Sequence, residues 1–307
     1  MPLRLSNDRV EIEILPLGAT LHSFRVRQPD GSWRNIILSR SDTATLDASY
    51  FGATVGRLAN RVGGSTFTLD GITYELAANE GANQLHGGPD GFASRQWEVV
   101  AADEAQVVLR LTSPDGDQGY PGALQVTAAY SLLPDGAQVS YTATTDAPTV
   151  VNLTAHPYFV LGDGTVDDHL LAVASGSYTP ATDELIPTGE IRSVEGTAFD
   201  LRAGRLIGEA CAAAIAEGIA QNGGIDQNFI IDGEGLREHV RLTGPAGTVV
   251  VLSDAPAVQL YTADHLGRAG LAVEPQGYPD APNHPEFPSV VLRPGETYTT
   301  TTQWRLG

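Results

Sequence analysis

The chain has 307 residues, enough for one large β domain or two ordinary ones, and sets 18 basic against 37 acidic residues for a net charge of −19. Such an acidic molecule repels nucleic-acid phosphates and anionic lipid surfaces, which excludes both as partners and leaves a neutral or weakly charged small molecule. All 18 basic residues are arginine and Cys211 is the single cysteine, so a lysine Schiff base, an intrachain disulfide and a cysteine-held metal cluster are excluded as well.

In chain order, "MPLRLSNDRVEIEILPLG" breaks its apolar residues with charges, unlike a signal peptide, and Val10, Ile12 and Ile14 share one face of a period-2 strand. "GATVGRLANRVGG" (Gly52 to Gly64) is glycine-rich but lacks the GxGxxG spacing and a following helix, so it is not a dinucleotide site. "STFTLDGITYEL" (Ser65 to Leu76) is two alternating runs joined by Asp70-Gly71, a hairpin signal. "LQVTAAYSLLPDGAQVSYTAT" (Leu124 to Thr144) repeats the design around "PDG", with Val126 and Tyr130 answered by Val139 and Tyr141. "RAGRLIGEACAAAIAEGIA" (Arg202 to Ala220) is alanine-rich and predicts the one helix of length, with Leu206, Ala210 and Ala213 on one face. "VRLTGPAGTVVVLS" (Val240 to Ser253) is a further hairpin around "GPAG".

Glycine and proline punctuate these runs, and no repeat or linker divides them. The reading is an all-β chain: a large antiparallel β-sandwich with one short helical segment, a single domain over residues 1–307. No apolar run approaches the roughly 20 residues of a membrane helix. With a cysteine usage that fits a reducing compartment, this predicts a cytoplasmic location.

The chemistry has few candidates. There is no HExxH, no phosphate-cradling glycine loop and no GxSxG elbow. What remains are polar residues in loops and at strand ends, each with a structural reading beside the functional one. His86 in "NQLHGG", near Asn83, can simply bond the backbone. His156 in "NLTAHPYF" (Asn152 to Phe159) can be a satisfied core histidine, although Pro157 interrupts sheet pairing there. Arg61, after Asn60, can make a structural ion pair. Asp226 in "NGGIDQNF" can be a turn residue, and Gln259 in "AVQLYTAD" can face solvent. Glu274 in "VEPQGYPDAPN" ends an apolar run before Pro275 and leads into a loop with Asp280 and Asn283. A desolvated carboxylate at such a strand end suits a general base.

Taken in order, the segments resemble the aldose 1-epimerase (galactose mutarotase) family. The resemblance rests on "VGRLANRV" (Val55 to Val62), "LHGG" (Leu85 to Gly88), "DGDQGYPG" (Asp115 to Gly122), "NLTAHPYFVL" (Asn152 to Leu161) and "YTPATDELIPTGEI" (Tyr178 to Ile191). It continues through "GTAFDLR" (Gly196 to Arg202), "IDQNF" (Ile225 to Phe229), "VQLYTAD" (Val258 to Asp264) and "VEPQGYPDAPN" (Val273 to Asn283), almost the full length.

That resemblance implies a β-supersandwich with a sugar in an open cleft, and no cofactor or metal. By position, Glu274 matches the family's general base for the C1 hydroxyl and His156 its general acid for the ring oxygen. His86 would orient or polarise the ring-oxygen region, and Asn60, Arg61, Asp226 and Gln259 would grip the remaining hydroxyls. His156 is then expected to be protonated near neutral pH, its charge held by Asp226 or Glu274. Ala155, Val160, Gln227 and Asp264 depart from the family pattern and are expected near the cleft, bearing on substrate preference. Two alternatives stand beside a hexose mutarotase. A sugar-phosphate mutarotase needs several cations, and only Arg57 and Arg61 lie near the motifs. A non-catalytic sugar-binding protein has no need of an acid-base pair. A glycoside hydrolase usually pairs two carboxylates instead.

Overall fold

Alternating apolar and polar residues set most of the chain as paired strands, and a computed structural model describes them for residues 2–39 and 50–307. Val10, Ile12 and Ile14 are buried together on Val10–Leu15. That strand lies between Leu3–Ser6 and Thr20–Arg27 in a four-stranded sheet edged by Trp33–Asn35. Thr66–Leu69 turns onto Ile72–Glu75 through Asp70 (φ 51°) and Gly71 (φ 81°), the left-handed pair a two-residue hairpin requires. Leu124–Leu133 pairs with Gly136–Thr145, setting Tyr130 opposite Val139, and Arg237–Gly244 pairs with Gly247–Ser253.

Both of these last pairs belong to a nine-stranded antiparallel sheet. The C-terminal strand Tyr298–Leu306 lies inside it, between Gly136–Thr145 and Gly247–Ser253. A six-stranded sheet runs Tyr158–Phe159, Leu271–Gln276, Ala257–Tyr261, Asp226–Ile231, Ser175–Thr179, Arg192–Ser193. Its inner face carries Leu271, Val273, Val258, Leu260, Phe229 and Ile231, which join one core with Phe24, Tyr130 and Trp304 of the other two large sheets. Face-to-face burial of this kind is a sandwich, and each Leu or Phe so buried contributes about 1.5–3 kcal/mol. The alternate residues Glu274, Gln259, Asp226 and Asn228 must point to the opposite face. One face of this sheet therefore serves the core and the other is free for chemistry.

The one α-helix among the described residues is Ile207–Glu217, ended by Gly218 at φ 70°. It buries Ile207, Ala210, Cys211 and Ala214, so only Ala210 of the predicted face is kept. Leu206 is instead the last residue of a short strand, opposite Leu170, and the helical period counts from Ile207, which leaves Ala213 at the margin. No helix of the described residues is long and apolar enough to cross a membrane.

Candidate functional site

His156 stands where the chain changes sheets. Thr154–Ala155 pairs with Thr54–Val55, whereas Tyr158–Phe159 pairs with Leu271 and Ala272. At the seam the His156 N–H donates to the Ala53 carbonyl at 3.0 Å and its carbonyl accepts from Gly52 at 2.9 Å. Pro157, lacking an N–H, breaks the ladder there. The imidazole is buried, yet its Nδ1 has no hydrogen-bond partner among the described residues. The Asn152 carboxamide stitches this segment to the strand of Glu274: Oδ1 accepts from the Gly277 N–H at 2.7 Å and Nδ2 donates to the Gly277 carbonyl at 3.2 Å.

Across the six-stranded sheet, Asn228, Gln259 and Glu274 are direct cross-strand neighbours. The Glu274 carboxyl is buried with Oε1 3.4 Å from His156 Nε2, and its Oε2 has no partner among the described residues. Asp226 opens its strand and is buried, not a turn residue. Its Oδ1 accepts from Gln259 Nε2 at 2.6 Å and its Oδ2 from Asn222 Nδ2 at 2.8 Å. Gln259 is likewise buried and does not face solvent.

The opposite wall comes from residues 60 to 86. Asn60 and His86 both adopt left-handed backbone, at φ 62° and 51°, and bond each other twice. The His86 N–H donates to the Asn60 carbonyl at 2.9 Å, and the Asn60 N–H donates to His86 Nδ1 at 3.1 Å. A neutral His86 therefore carries its hydrogen on Nε2. Gly87 follows because no side chain fits: a Cβ there would lie 1.8 Å from the Gly56 carbonyl oxygen. Arg61 is clamped by Glu80, with Nε and Nη2 at 2.6 and 2.8 Å from its two oxygens. Tyr50 sets its ring edge against His86, with centroids 4.7 Å apart.

These side chains line a cavity of about 210 Å³ that contains all seven predicted residues: His86, His156, Glu274, Asn60, Arg61, Asp226 and Gln259. A larger cavity of about 460 Å³, bounded by Val151, Pro256, Pro288 and Tyr298, has neither a histidine nor an arginine in its wall. The chemistry is concentrated in the smaller one. Sequence reading missed Tyr50, Glu80, Asn222, Tyr261 and His265, which also line it. Asn222 carried a signal as the asparagine of an Asn-Gly turn, with φ 51°. Glu80 carried none.

Burial dominates the electrostatics. Desolvation pushes His156 down to about 4 and holds His86 well below the usual imidazole value, the latter with help from neighbouring His156 and Arg61. It raises Glu274 far above the ordinary carboxylate range, with Asp226 adding to the rise and Arg61 opposing it. Asp226 is raised by burial as well. The expected imidazolium runs against these directions: burial disfavours the charged form of both His156 and Glu274, pushing the imidazole down and the carboxyl up. The ligand atoms of His86, His156 and Glu274 lie within 4.8 Å of one another, compact enough for a metal ion. A metal-bound histidine normally donates its other ring N–H outward. His86 Nδ1 instead accepts from Asn60, so a neutral His86 offers its Nε2–H to the cavity rather than a lone pair.

The other motif residues are structural. Arg57 is fully buried, bonded to Ser113, Pro114, Pro121 and Thr149, and lies outside the cleft. Tyr120 of "GYPG" packs under that guanidinium and donates to Gln84, beside the His86 turn. Asn83 is tied to Gly64 and Glu184, and Asp280 accepts from Gly63 N–H while donating its own to the Arg61 carbonyl. None of the four departures is in the wall of the cleft itself, although Gln227 lines a small adjoining recess that shares Asn60, Arg61, Asp226 and Gln259 with it. Ala155 and Val160 belong to the core and its margin, Asp264 pairs with Arg268, and Gln227 donates to the Thr179 carbonyl.

Residues 1–305 match the aldose 1-epimerase family. The chain is similar to the aldose 1-epimerase of Escherichia coli K12, with 37% identity over 98% of this chain and 93% of that one. It is 36% identical to the galactose mutarotase of Bos taurus, over 98% and 92% of the two chains. Among solved structures, an aldose epimerase homologue from C. elegans superposes with a TM-score of 0.93 at 29% identity, covering 100% of this chain and 98% of that one. A galactose 1-epimerase from Lactobacillus acidophilus gives 0.86 at 27%, over 99% and 93%. The chain belongs to the aldose 1-epimerase family, a family of isomerases with the galactose mutarotase-like fold.

Proposed function

We propose that the protein interconverts the α and β anomers of a free hexose such as glucose or galactose. The observation that carries this is the buried His156–Glu274 pair, 3.4 Å apart on the wall of a small polar cavity, each partner with one unsatisfied polar atom among the described residues. Polar atoms left unpaired in a buried site call for a partner, and a sugar hydroxyl supplies one.

In the reading we favour, Glu274 takes the proton from O1 and that O–H electron pair becomes the C1 carbonyl bond. The C1–O5 bond breaks toward O5, which takes a proton from His156. Rotation about C1–C2 presents the other carbonyl face, and the two groups exchange roles as O5 re-adds. The pair carries one proton throughout: carboxylate with imidazolium around the closed ring, carboxylic acid with neutral imidazole around the open chain. Burial already favours the second state, so binding of the closed sugar must hold the first, with Oε2 free for the O1 hydroxyl and the Arg61 charge assisting. His86 offers its Nε2–H to the ring-oxygen region. Asn60, Arg61, Asp226 and Gln259 keep the other hydroxyls still during the rotation.

Proton transfer between these groups accounts for the reaction without a cofactor or metal, and residues 1–307 are read as one such domain acting in the cytoplasm. A sugar-phosphate substrate is disfavoured because Arg57 is caged and Arg61 is paired with Glu80. The test is polarimetry of freshly dissolved α-D-glucose and α-D-galactose at low buffer concentration. Faster relaxation to the same end rotation, abolished in Glu274→Gln, supports the reading. Unchanged rates with both sugars despite measurable binding overturn it and leave a binding role.

A further inference from the structure

Among the described residues, Arg61 is the one arginine in the wall of the cleft, which also carries the carboxyls of Glu80, Asp226 and Glu274. Its guanidinium is met two-pronged by Glu80, the geometry that neutralises an arginine most completely. The Glu80 side chain is 38% exposed, but its backbone is braced. Its N–H donates to the Asn83 carbonyl at 3.1 Å and its carbonyl accepts from Asn83 at 2.9 Å. The Asn83 side chain in turn accepts from Gly64 at 2.8 Å, three residues beyond Arg61. Clamp and cation thus sit on one braced unit. Only Nη1 of the guanidinium has no protein partner among the described residues.

We propose that Glu80 is a specificity-determining residue: by pairing with Arg61 it offsets part of the permanent positive charge of the cleft and disfavours anionic aldoses, such as uronates and sugar phosphates, relative to neutral ones. Rejection by an arranged repulsive element is a general route to specificity. On the far wall, Arg61 and Glu80 bear on Asp226 in opposite senses, Arg61 the more strongly. This inference rests on the proposed mutarotase reading and adds a substrate class to it.

The test compares D-glucose with D-glucuronate, which differ only in a carboxylate at C6, using kcat/KM for mutarotation of each. In Glu80→Gln the glucuronate-to-glucose ratio is expected to rise by up to about ten-fold, because one unit charge a few ångströms away, near the surface, acts at an effective dielectric of about 20. The rise should shrink in high salt. Glu80→Asp, which keeps the charge, should return the ratio toward wild type. If Glu80 were only a prop for Arg61, Glu80→Gln would depress both sugars alike, and an unchanged ratio overturns the proposal. Where turnover is too slow, dissociation constants of the two sugars by calorimetry give the same ratio. A wild-type protein that binds glucose without accelerating its mutarotation would instead sink the mutarotase reading, and the calorimetric ratio would still decide the role of Glu80.

Discussion

Glu274 concentrates the cost of the site in one side chain. Its carboxyl is buried with one oxygen unpartnered among the described residues, and burial raises its proton affinity far above that of the unfolded chain. A folded value above the unfolded one means that the native state retains a proton the unfolded state releases. Stability is therefore full below the ordinary carboxylate value and is lost as pH rises toward the folded value. Glu274→Gln stays neutral throughout, so at pH 7 it should melt at a higher temperature than wild type. Calorimetric melts should show this gain fading toward pH 4, while polarimetry shows activity down on the order of 10²–10⁴. Equal melting temperatures at pH 7 would refute it. The pair's single proton also predicts a bell-shaped pH profile for kcat/KM. Its acid limb is a second protonation of the pair, low because His156 is held near 4, and its alkaline limb is loss of the proton, high because Glu274 is raised. Both limbs belong to the coupled pair, not to either residue. An acid limb at or above the ordinary imidazole value, or an alkaline limb in the ordinary carboxylate range, would contradict the assignment.

At the scale of elements, the site depends on the stitch between the segment that carries His156 and the strand that carries Glu274. Asn152 makes it with both ends of one carboxamide on Gly277. Asn152→Ala should cost about 1–3 kcal/mol in urea unfolding, since two backbone groups lose their partner. On the proposed mechanism it should lower kcat more than it raises KM, because His156 and Glu274 lose their relative placement. A variant destabilised but with kcat intact would show that the stitch serves folding alone. The motifs behave differently at this scale. "LHGG" is legible down to its chemistry, since Gly87 is required by contact with Gly56 and His86 by the cavity. "DGDQGYPG" has the same look in sequence and lies around Arg57 instead, because whether a motif's polar groups meet solvent or one another is decided by what packs on them.

For the whole molecule, the decisive element is the last one. Tyr298–Leu306 joins the two halves of the nine-stranded sheet and buries Trp304 against Phe24. Deleting residues 298–307 would expose two long strand edges at once. The truncated chain is expected to lose its cooperative thermal transition and to aggregate on size exclusion, while the full chain does neither. A folded, active truncation would show that the sheet closes without it.

Much of this was legible beforehand for a local reason. Strand alternation, the Asp70-Gly71 turn and the helix-forming alanines act over a few residues, so they are written along the chain; only the helix's starting residue and face were displaced. The seven site residues were legible through their motifs, and the structure brings all of them to one cavity. Glu80 and Asn222 were not recognised, because an ion pair 19 residues from its partner and a carboxamide on a turn leave no periodic trace. Nor did the sequence determine where the departures lie: Gln227 bonds the Thr179 carbonyl in a recess that adjoins the cleft, while its neighbour Asp226 faces the cleft itself. The raised proton affinity of Glu274 was likewise decided only in three dimensions, since desolvation is set by how many strands, remote in sequence, close around a charge, and no residue type carries that information by itself.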